Sequence, residues 1–252
     1  MAGKKVLITG MSGLIGSALR KRLESRYELS ALNRGPVAGV PCHRADISDL
    51  EAILPAFEGR DMVVHLAAIA KVDATIEEVM THNIVGTYNV FEASRRAGVK
   101  RVVFASSGAT VANIERDMPY KALVSGEAGQ EPAEWDMLTH ESPVRPRGLY
   151  GCSKVWGEAL ARHFVDTFGM SIICLRIGAV PAADRPTQPR MFSAWCSQRD
   201  VVDLLERCME APESLKFDIF FGVSNNRLSY RDMAHPRQVL GFSAQDSADD
   251  YR

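Results

Sequence analysis

The chain has almost no net charge to offer: 30 Lys and Arg stand against 31 Asp and Glu, a formal charge of -1. Nucleic acids and anionic membranes are recognised through a basic excess, so neither partner is expected. Long apolar runs are equally absent. None approaches the roughly 20 residues a membrane-crossing helix needs, and no apolar segment with a cleavage site lies near the first residues, so the expected location is the cytoplasm. Cysteine is sparse and scattered, at Cys42, Cys152, Cys174, Cys196 and Cys208. Five thiols without Cys-x-x-Cys spacing exclude a disulfide framework and a zinc site as expectations, leaving reduced packing residues and no bound metal. Repeats and low-complexity tracts are missing too. What is left is an ordinary globular composition over 252 residues, long enough to bury roughly three quarters of the unfolded surface.

The most informative stretch runs from Lys4 to Leu23. Val6-Leu7-Ile8 reads as a short strand, Thr9-Gly10-Met11-Ser12-Gly13-Leu14-Ile15-Gly16 as a glycine turn, and Ala18, Leu19 and Leu23 fall at helical spacing. Glycines allow a tight turn, a close approach of backbone to a pyrophosphate and close helix–strand packing, while the helix N-terminus presents free N–H groups to negative charge. The turn therefore predicts a dinucleotide cradle formed by Gly10, Ser12, Gly13, Leu14, Ile15 and Gly16. Its Gly-x-x-Gly-x-x-Gly spacing differs from the better known Gly-x-Gly-x-x-Gly, and it is the strand before and the helix after that give it meaning.

Further along, Tyr27 to Leu32 alternates like a strand and ends at Asn33-Arg34-Gly35-Pro36. In a dinucleotide fold this position meets the adenosine ribose, where a carboxylate serves NAD and an arginine serves NADP. With Asn33 and Arg34 there, NADP is favoured over NAD; the alternative is that Arg34 only stacks on adenine. Asp46 is placed to accept from the adenine amino group, or else to cap the helix Leu50 to Phe57, a task open to Ser48 as well. Ile47 follows it along the same wall. Met62 to Ala68 reads as a buried parallel strand whose end, Leu66-Ala67-Ala68, is small enough to let backbone approach the cofactor. His65 in that apolar run is expected to be a hydrogen-bonded core histidine. A helix over Ile76 to Ala97 carries Asn83, and the strand Arg101 to Ala105 delivers Ser106-Ser107-Gly108-Ala109 at the edge where doubly wound sheets bind ligands. Residues 112–147, rich in Pro, Glu and Gly, read as a long loop. A helix over Leu149 to Phe168, a strand over Ser171 to Ile177, a helix over Val201 to Met209 with Ser197 as its cap, and a last strand over Phe217 to Val223 complete the pattern.

Tyr150 and Lys154 lie four apart on the long helix and so share a face. A tyrosine with an unperturbed pKa near ~10 is a poor base, and a neighbouring ammonium is expected to favour its phenolate. Lys154 supplies that charge and is placed to hold the nicotinamide ribose. Ser107 would hold the reacting oxygen beside the phenol, and Asn83 a water linking Lys154 to solvent. Together with Ile177 at the end of the next strand, these residues define the expected nicotinamide end.

Gly10-x-x-Gly13-x-x-Gly16, Asn83, Ser107 and Tyr150-x-x-x-Lys154 resemble the extended short-chain dehydrogenase/reductase superfamily, the NAD-dependent epimerase/dehydratase family. Phe104-Ala105-Ser106-Ser107, Gly148-Leu149-Tyr150-Gly151-x-Ser153-Lys154, Arg176-Ile177-Gly178 and Arg190-Met191-Phe192-Ser193-x-Trp195 followed by Asp200 narrow the likeness to uronate dehydrogenases. The resemblance implies oxidation of the anomeric carbon of a sugar acid with NAD, with Tyr150 taking the hydroxyl proton and Arg190 holding the carboxylate. It also implies a Rossmann-type doubly wound parallel sheet (residues 1–177), a small C-terminal substrate lobe (178–252) and a homodimer. Departures fall on both the substrate and the cofactor side. Gly108-Ala109 stands where the family has an Asn-His pair, Ala70 and Ala179 stand at two substrate-binding serines, and Asn33 replaces the ribose-binding aspartate. Each lost polar contact is worth ~1–3 kcal/mol if a hydroxyl is left buried without a partner. The substrate is therefore expected to be a small anionic sugar other than plain glucuronate. Alternatives are a dehydrogenase or reductase for a less polar alcohol or carbonyl compound, a nucleotide-sugar epimerase or dehydratase, and a silent NAD(P)-sensing protein, which would not need both Tyr150 and Lys154.

Overall fold

The computed structural model describes residues 3–71, 73–126 and 131–252. Seven parallel strands form one sheet in the order β3-β2-β1-β4-β5-β6-β7. They are β1 (Lys5–Thr9), β2 (Glu28–Asn33), β3 (Cys42–Arg44), β4 (Met62–His65), β5 (Arg101–Ser107), β6 (Ile172–Ile177) and β7 (Phe217–Gly222). The order reverses between β1 and β4, which opens a crevice at the carboxyl ends of those two strands. Registers Thr9↔His65 and Ser107↔Ile177 bring the residues that lead into the expected site to that edge.

Alternation along each strand divides the core between two faces. Val6, Ile8, Val64, Val103 and Leu175 pack with Leu19 and Leu23 of α1 (Leu14–Leu23) and Leu204 and Leu205 of α8 (Gln198–Glu210). Leu7, Val63, Val102 and Phe104 point the other way, onto Phe57 of α2 (Leu50–Phe57), Phe91 of α4 (Gly86–Arg96) and Phe164 of α6 (Gly148–Phe168). Both β7 and α8 belong to this sheet and its core, so the segment 178–252 is continuous with the body of the molecule.

Several expectations are corrected by the structure. The helix expected over Ile76 to Ala97 is broken into α3 (Ile76–Glu78), a π-helical segment (Val79–Val85) and α4. A π-helical segment rotates the side chains that follow it and is common at functional sites; here Asn83 lies within it, buried. Neither Asp46 nor Ser48 caps α2: Asp49 does, accepting from the Ala52 amide at 3.0 Å, while Asp46 is engaged by Ser48 itself. Ser197 caps α8 as expected, accepting from the Asp200 amide at 3.0 Å. The stretch 112–147 is not a bare loop. It holds a 3-10 turn (Ala112–Arg116), α5 (Tyr120–Ser125) and a strand-like bridge from Leu138 to Arg231, and it packs through Tyr120, Leu123 and Leu138 in one cluster with Val111, Phe221, Leu228 and Tyr230. Residues 127–130 of that stretch lie outside the described residues. The short helices α7 (Met191–Ala194) and α9 (Ala234–Leu240) complete the chain. Among the described residues no helix is long and apolar enough to cross a membrane.

Candidate functional site

The glycine turn is shaped by two close approaches. Gly10 has φ +72°, and a Cβ on it would lie 2.9 Å from the Ala67 amide nitrogen. A Cβ on Gly16 would lie 2.5 Å from the Gly10 carbonyl oxygen, so only glycine lets α1 start this close to β1. Gly13 begins α1 with no side chain capping it, which leaves the first N–H groups free for an anion. In front of the turn lies a cavity of about 430 Å³ lined by Gly10, Ser12, Gly13, Asn33, Arg34, Asp46, Ile47, Leu66, Ala67 and Ala68. All ten are residues expected to bind a dinucleotide. Leu32, Gly35, Ala45 and Ile69 also line it as backbone or packing wall, and His82 lines it with its Nδ1 3.4 Å from Asp46 Oδ1; none of the five was foreseen. Leu14, Ile15, Gly16 and Ile177 are not in this lining: Leu14 is exposed, Ile15 packs on the core, and Ile177 is buried at the end of β6 beside Ser107.

Asn33 does more than replace an acid. Its amide oxygen accepts from the Met11 N–H at 2.9 Å and its NH₂ donates to Ser12 Oγ at 2.7 Å, pinning the turn to the end of β2. Asp46 is the carboxylate of the cavity. Burial pushes its pKa up, but the amide and hydroxyl of Ser48, at 2.9 and 2.8 Å, with His82 and Arg34 nearby, outweigh this and hold it below the ordinary value. His65 is the core histidine expected. Its Nδ1 is 2.8 Å from Thr9 Oγ1, its Nε2 is 3.3 Å from Thr87 Oγ1, and burial beside Lys154 lowers its pKa to about 3.

The second half of the site gathers where β5 meets α6. Ser107 ends β5, its hydroxyl accepts from the Ala109 N–H at 3.1 Å, and it lies near enough to Tyr150, in the first turn of α6, to bear on that phenol's pKa. Lys154, one turn on, is buried and donates to the Ala105 carbonyl at 2.8 Å. The expected pKa effect is corrected here. Burial raises the Tyr150 phenol, with the Ser107 hydrogen bond opposing it, and the Lys154 ammonium is not among the groups that lower it. Lys154 Nζ is 5.5 Å from the centre of the Tyr150 ring and 4.8 Å from that of Phe104, turned toward the sheet. Its own pKa is lowered to about 8, by burial.

Asn83 is held by protein groups on both sides. Its amide bonds the Ile69 N–H and C=O at 2.8 and 3.0 Å and donates to Ser153 Oγ at 3.1 Å, so it clamps the loop after β4 against the residue next to Lys154. Sequence reasoning missed the group that fixes α6: Glu158 accepts from Arg176 Nε and Nη2 at 2.9 and 2.8 Å and from Ser106 Oγ at 2.6 Å, all buried. The signal was available, since Glu158 lies four residues after Lys154 on the same helix face.

Of the expected substrate-side residues, Gly108 and Ala109 follow Ser107 directly, Ala70 is exposed on the loop after β4, and Ala179 forms a bridge to Trp195. Arg190 is not a solvated loop arginine. Its Nε donates to Glu115 Oε2 at 2.6 Å, and Glu115 is buried. Glu115 also accepts from the Tyr230 hydroxyl at 2.6 Å and from Arg147 Nη1 at 3.2 Å, and Arg231 Nη2 lies 3.6 Å away. Burial pushes the Glu115 pKa up, but the guanidinium groups of Arg190 and Arg231 and the Tyr230 hydroxyl outweigh it, and the net shift is downward. Burial raises the Tyr230 phenol to about 12. The cluster is joined to the serine end, because a Cβ on Gly108 would sit 3.4 Å from Arg231 Nε. Glu115, Tyr230 and Arg231 were not foreseen; nothing in their local sequence sets them apart.

Comparison with known proteins agrees with this geometry. Uronate dehydrogenase of Agrobacterium fabrum is 35% identical over 254 residues, covering 99% of this chain and 87% of that one. L-arabinose 1-dehydrogenase (NAD(P)(+)) of Haloferax volcanii is 30% identical over 256 residues, covering 97% of each. A crystal structure of a uronate dehydrogenase variant from Agrobacterium tumefaciens, complexed with NAD, superposes with a TM-score of 0.82 at 33% identity, covering 100% of this chain and 88% of that one. The NAD dependent epimerase/dehydratase family matches residues 6–199, and with the glycine turn, its cavity and the Ser107–Tyr150–Lys154 end in place, the chain belongs to that family.

Proposed function

We propose that this protein is an NAD(P)-dependent dehydrogenase that oxidises the anomeric hydroxyl of a small acidic sugar, giving the lactone. The observation that carries the reading is the gathering of Ser107, Tyr150 and buried Lys154 at the carboxyl edge of the sheet, joined through Gly108 and Arg231 to the Glu115–Arg190 pair, in a chain whose relatives of similar length include sugar dehydrogenases. The residues around the cavity fit a dinucleotide: glycines at the turn, a free helix N-terminus and small side chains at Ala67 and Ala68. When bound, the nicotinamide supplies the hydride acceptor. Tyr150, as its phenolate, would take the hydroxyl proton, Ser107 would fix the reacting oxygen, and Lys154 would serve by its charge and by binding the ribose. Asn83 holds the wall beside Lys154 in place. The segment 178–252 supplies the substrate side through Ala179 and Arg190. Ala70, Gly108 and Ala109 bring no hydrogen-bonding side chain to that pocket, so recognition rests on the arginine.

For the cofactor we propose that NADP is accepted beside NAD, because Asn33 puts no carboxylate at the ribose and Arg34 stands exposed on the rim of the cavity. An absorbance assay for reduced nicotinamide tests both proposals at once, with each cofactor against uronates, the matching neutral aldoses, phosphorylated sugars and simple alcohols. Turnover of a uronate well above its matching aldose is the expected result. Oxidation of neutral sugars or simple alcohols alone would overturn the acidic-sugar reading.

A further inference from the structure

Three guanidinium groups surround one carboxylate at the substrate side: Arg147, Arg190 and Arg231 about Glu115. Arginine does not deprotonate in proteins, so the cluster holds two positive charges more than Glu115 balances. Arg147 is 59% exposed and solvated, whereas Arg231 is fully buried, and its Nε and Nη1 have no acceptor. A buried charge left short of partners is costly, and any added acceptor within reach is favoured. One stands close by. Glu115 Oε1 is 3.6 Å from Arg231 Nη2, and Tyr230 OH bridges the two, donating to Glu115 at 2.6 Å and accepting from Arg231 at 2.8 Å. Only a small shift separates the present pairing, Glu115 on Arg190, from one in which Glu115 sits on Arg231.

We infer that Glu115 is a specificity-determining residue: it competes with the substrate's acidic group for Arg190, and Arg231 takes over the Glu115 carboxylate when the acid binds. The inference rests on the reading above, in which Arg190 meets an acidic group of the sugar. Charge accounts for the selectivity. With an acid on Arg190 and Glu115 on Arg231, two carboxylates face the two more buried guanidiniums, and each charge has a partner. A neutral sugar brings no second carboxylate and leaves Glu115 where it is. The sugar's acidic group thus supplies what the free cluster lacks, while Glu115 weakens its binding because it must first be displaced.

The test is titration calorimetry of the NAD-loaded protein with 1-deoxyglucuronate, which keeps the ring and the C6 carboxylate but has no anomeric hydroxyl, so that binding is read without turnover. Glu115→Gln keeps the shape and removes the competing charge; its Kd for this acid is expected to fall about tenfold. The ratio of kcat/KM for glucuronate over that for glucose should rise by a similar factor, a change that a purely structural role of Glu115 would not produce. Arg231→Met removes the second seat for Glu115, and its Kd for the acid should rise about tenfold. Binding of 1-deoxyglucuronate to the parent protein with no gain in Glu115→Gln overturns the competition. No binding of it to the parent or to Glu115→Gln, in protein that still binds NAD, overturns the acidic-group reading of Arg190 and the inference with it. Should Glu115→Gln not fold, Arg231→Met decides: an unchanged Kd there overturns the exchange.

Discussion

The two ends of the site are built differently. At the cofactor end a single continuous stretch, Thr9 to Gly16, sets the backbone, and the cavity in front of it is walled by strand ends from β1, β2 and β4. At the substrate end the contacts are between the charged side chains at positions 115, 147, 190 and 231 and the Tyr230 phenol. Backbone geometry of the first kind is fixed by glycine and by strand order, and tolerates little change. Side-chain geometry of the second kind can be altered one residue at a time without disturbing the sheet. The two ends can therefore be perturbed separately, and the sharpest tests are substitutions that should damage one and spare the other.

The largest effect is expected at the junction between them. Tyr150→Phe removes the proton acceptor but keeps the ring, and should lower kcat about a thousandfold while NAD affinity stays within about twofold. Stopped-flow or steady-state absorbance gives the first quantity and calorimetry the second. Near-parental turnover in this variant would remove Tyr150 from the chemistry. Lys154 then becomes the natural suspect, since its lowered pKa of about 8 leaves a share of it neutral at working pH.

A smaller effect, confined to the other end, is expected from Gly16→Ala. The added methyl would meet the Gly10 carbonyl at 2.5 Å and Met11 Cα at 2.7 Å, both backbone atoms that cannot rotate away. A loss of about 1–3 kcal/mol in stability is expected, with weaker binding of both cofactors and an unchanged preference between sugars. Thermal unfolding checks the first and the ratio of kcat/KM values the last. An altered sugar preference would mean that the two ends are mechanically coupled.

This division also explains what the sequence disclosed. Most elements were legible because hydrophobic period and glycine spacing are local; α2 falls where expected, and Ser197 caps α8. The ten cavity residues follow from the same local signals. Three-residue β3 is too short to leave a pattern, and the π-helical turn around Asn83 differs from an α-helix by register alone. The Glu115 cluster was invisible for a stronger reason. Its partners Tyr230 and Arg231 lie 115 and 116 residues away along the chain, and the 3-10 turn that carries Glu115 has no period to betray it. Tyr150 and Lys154 show a subtler gap, because spacing gave their shared face but not the carbonyl of Ala105 that draws the ammonium toward the sheet.

Arg34 offers the mildest perturbation and the finest discrimination within the cofactor end. It is exposed on the cavity rim, near enough to Asp46 to help lower its pKa, and Asn33 beside it is committed to Met11 and Ser12. An exposed guanidinium pairs weakly with a ribose phosphate because water and salt screen it. Arg34→Ala should accordingly raise the Kd for NADP by about tenfold or less and leave that for NAD nearly unchanged. Titration of both cofactors at low and high salt distinguishes the possible roles. A loss restricted to NADP and shrinking with salt identifies a phosphate contact. Equal losses for NAD and NADP, indifferent to salt, identify an arginine that only stacks on adenine, and in that case the absence of a carboxylate at Asn33 is the sole feature of this wall that admits the 2′-phosphate.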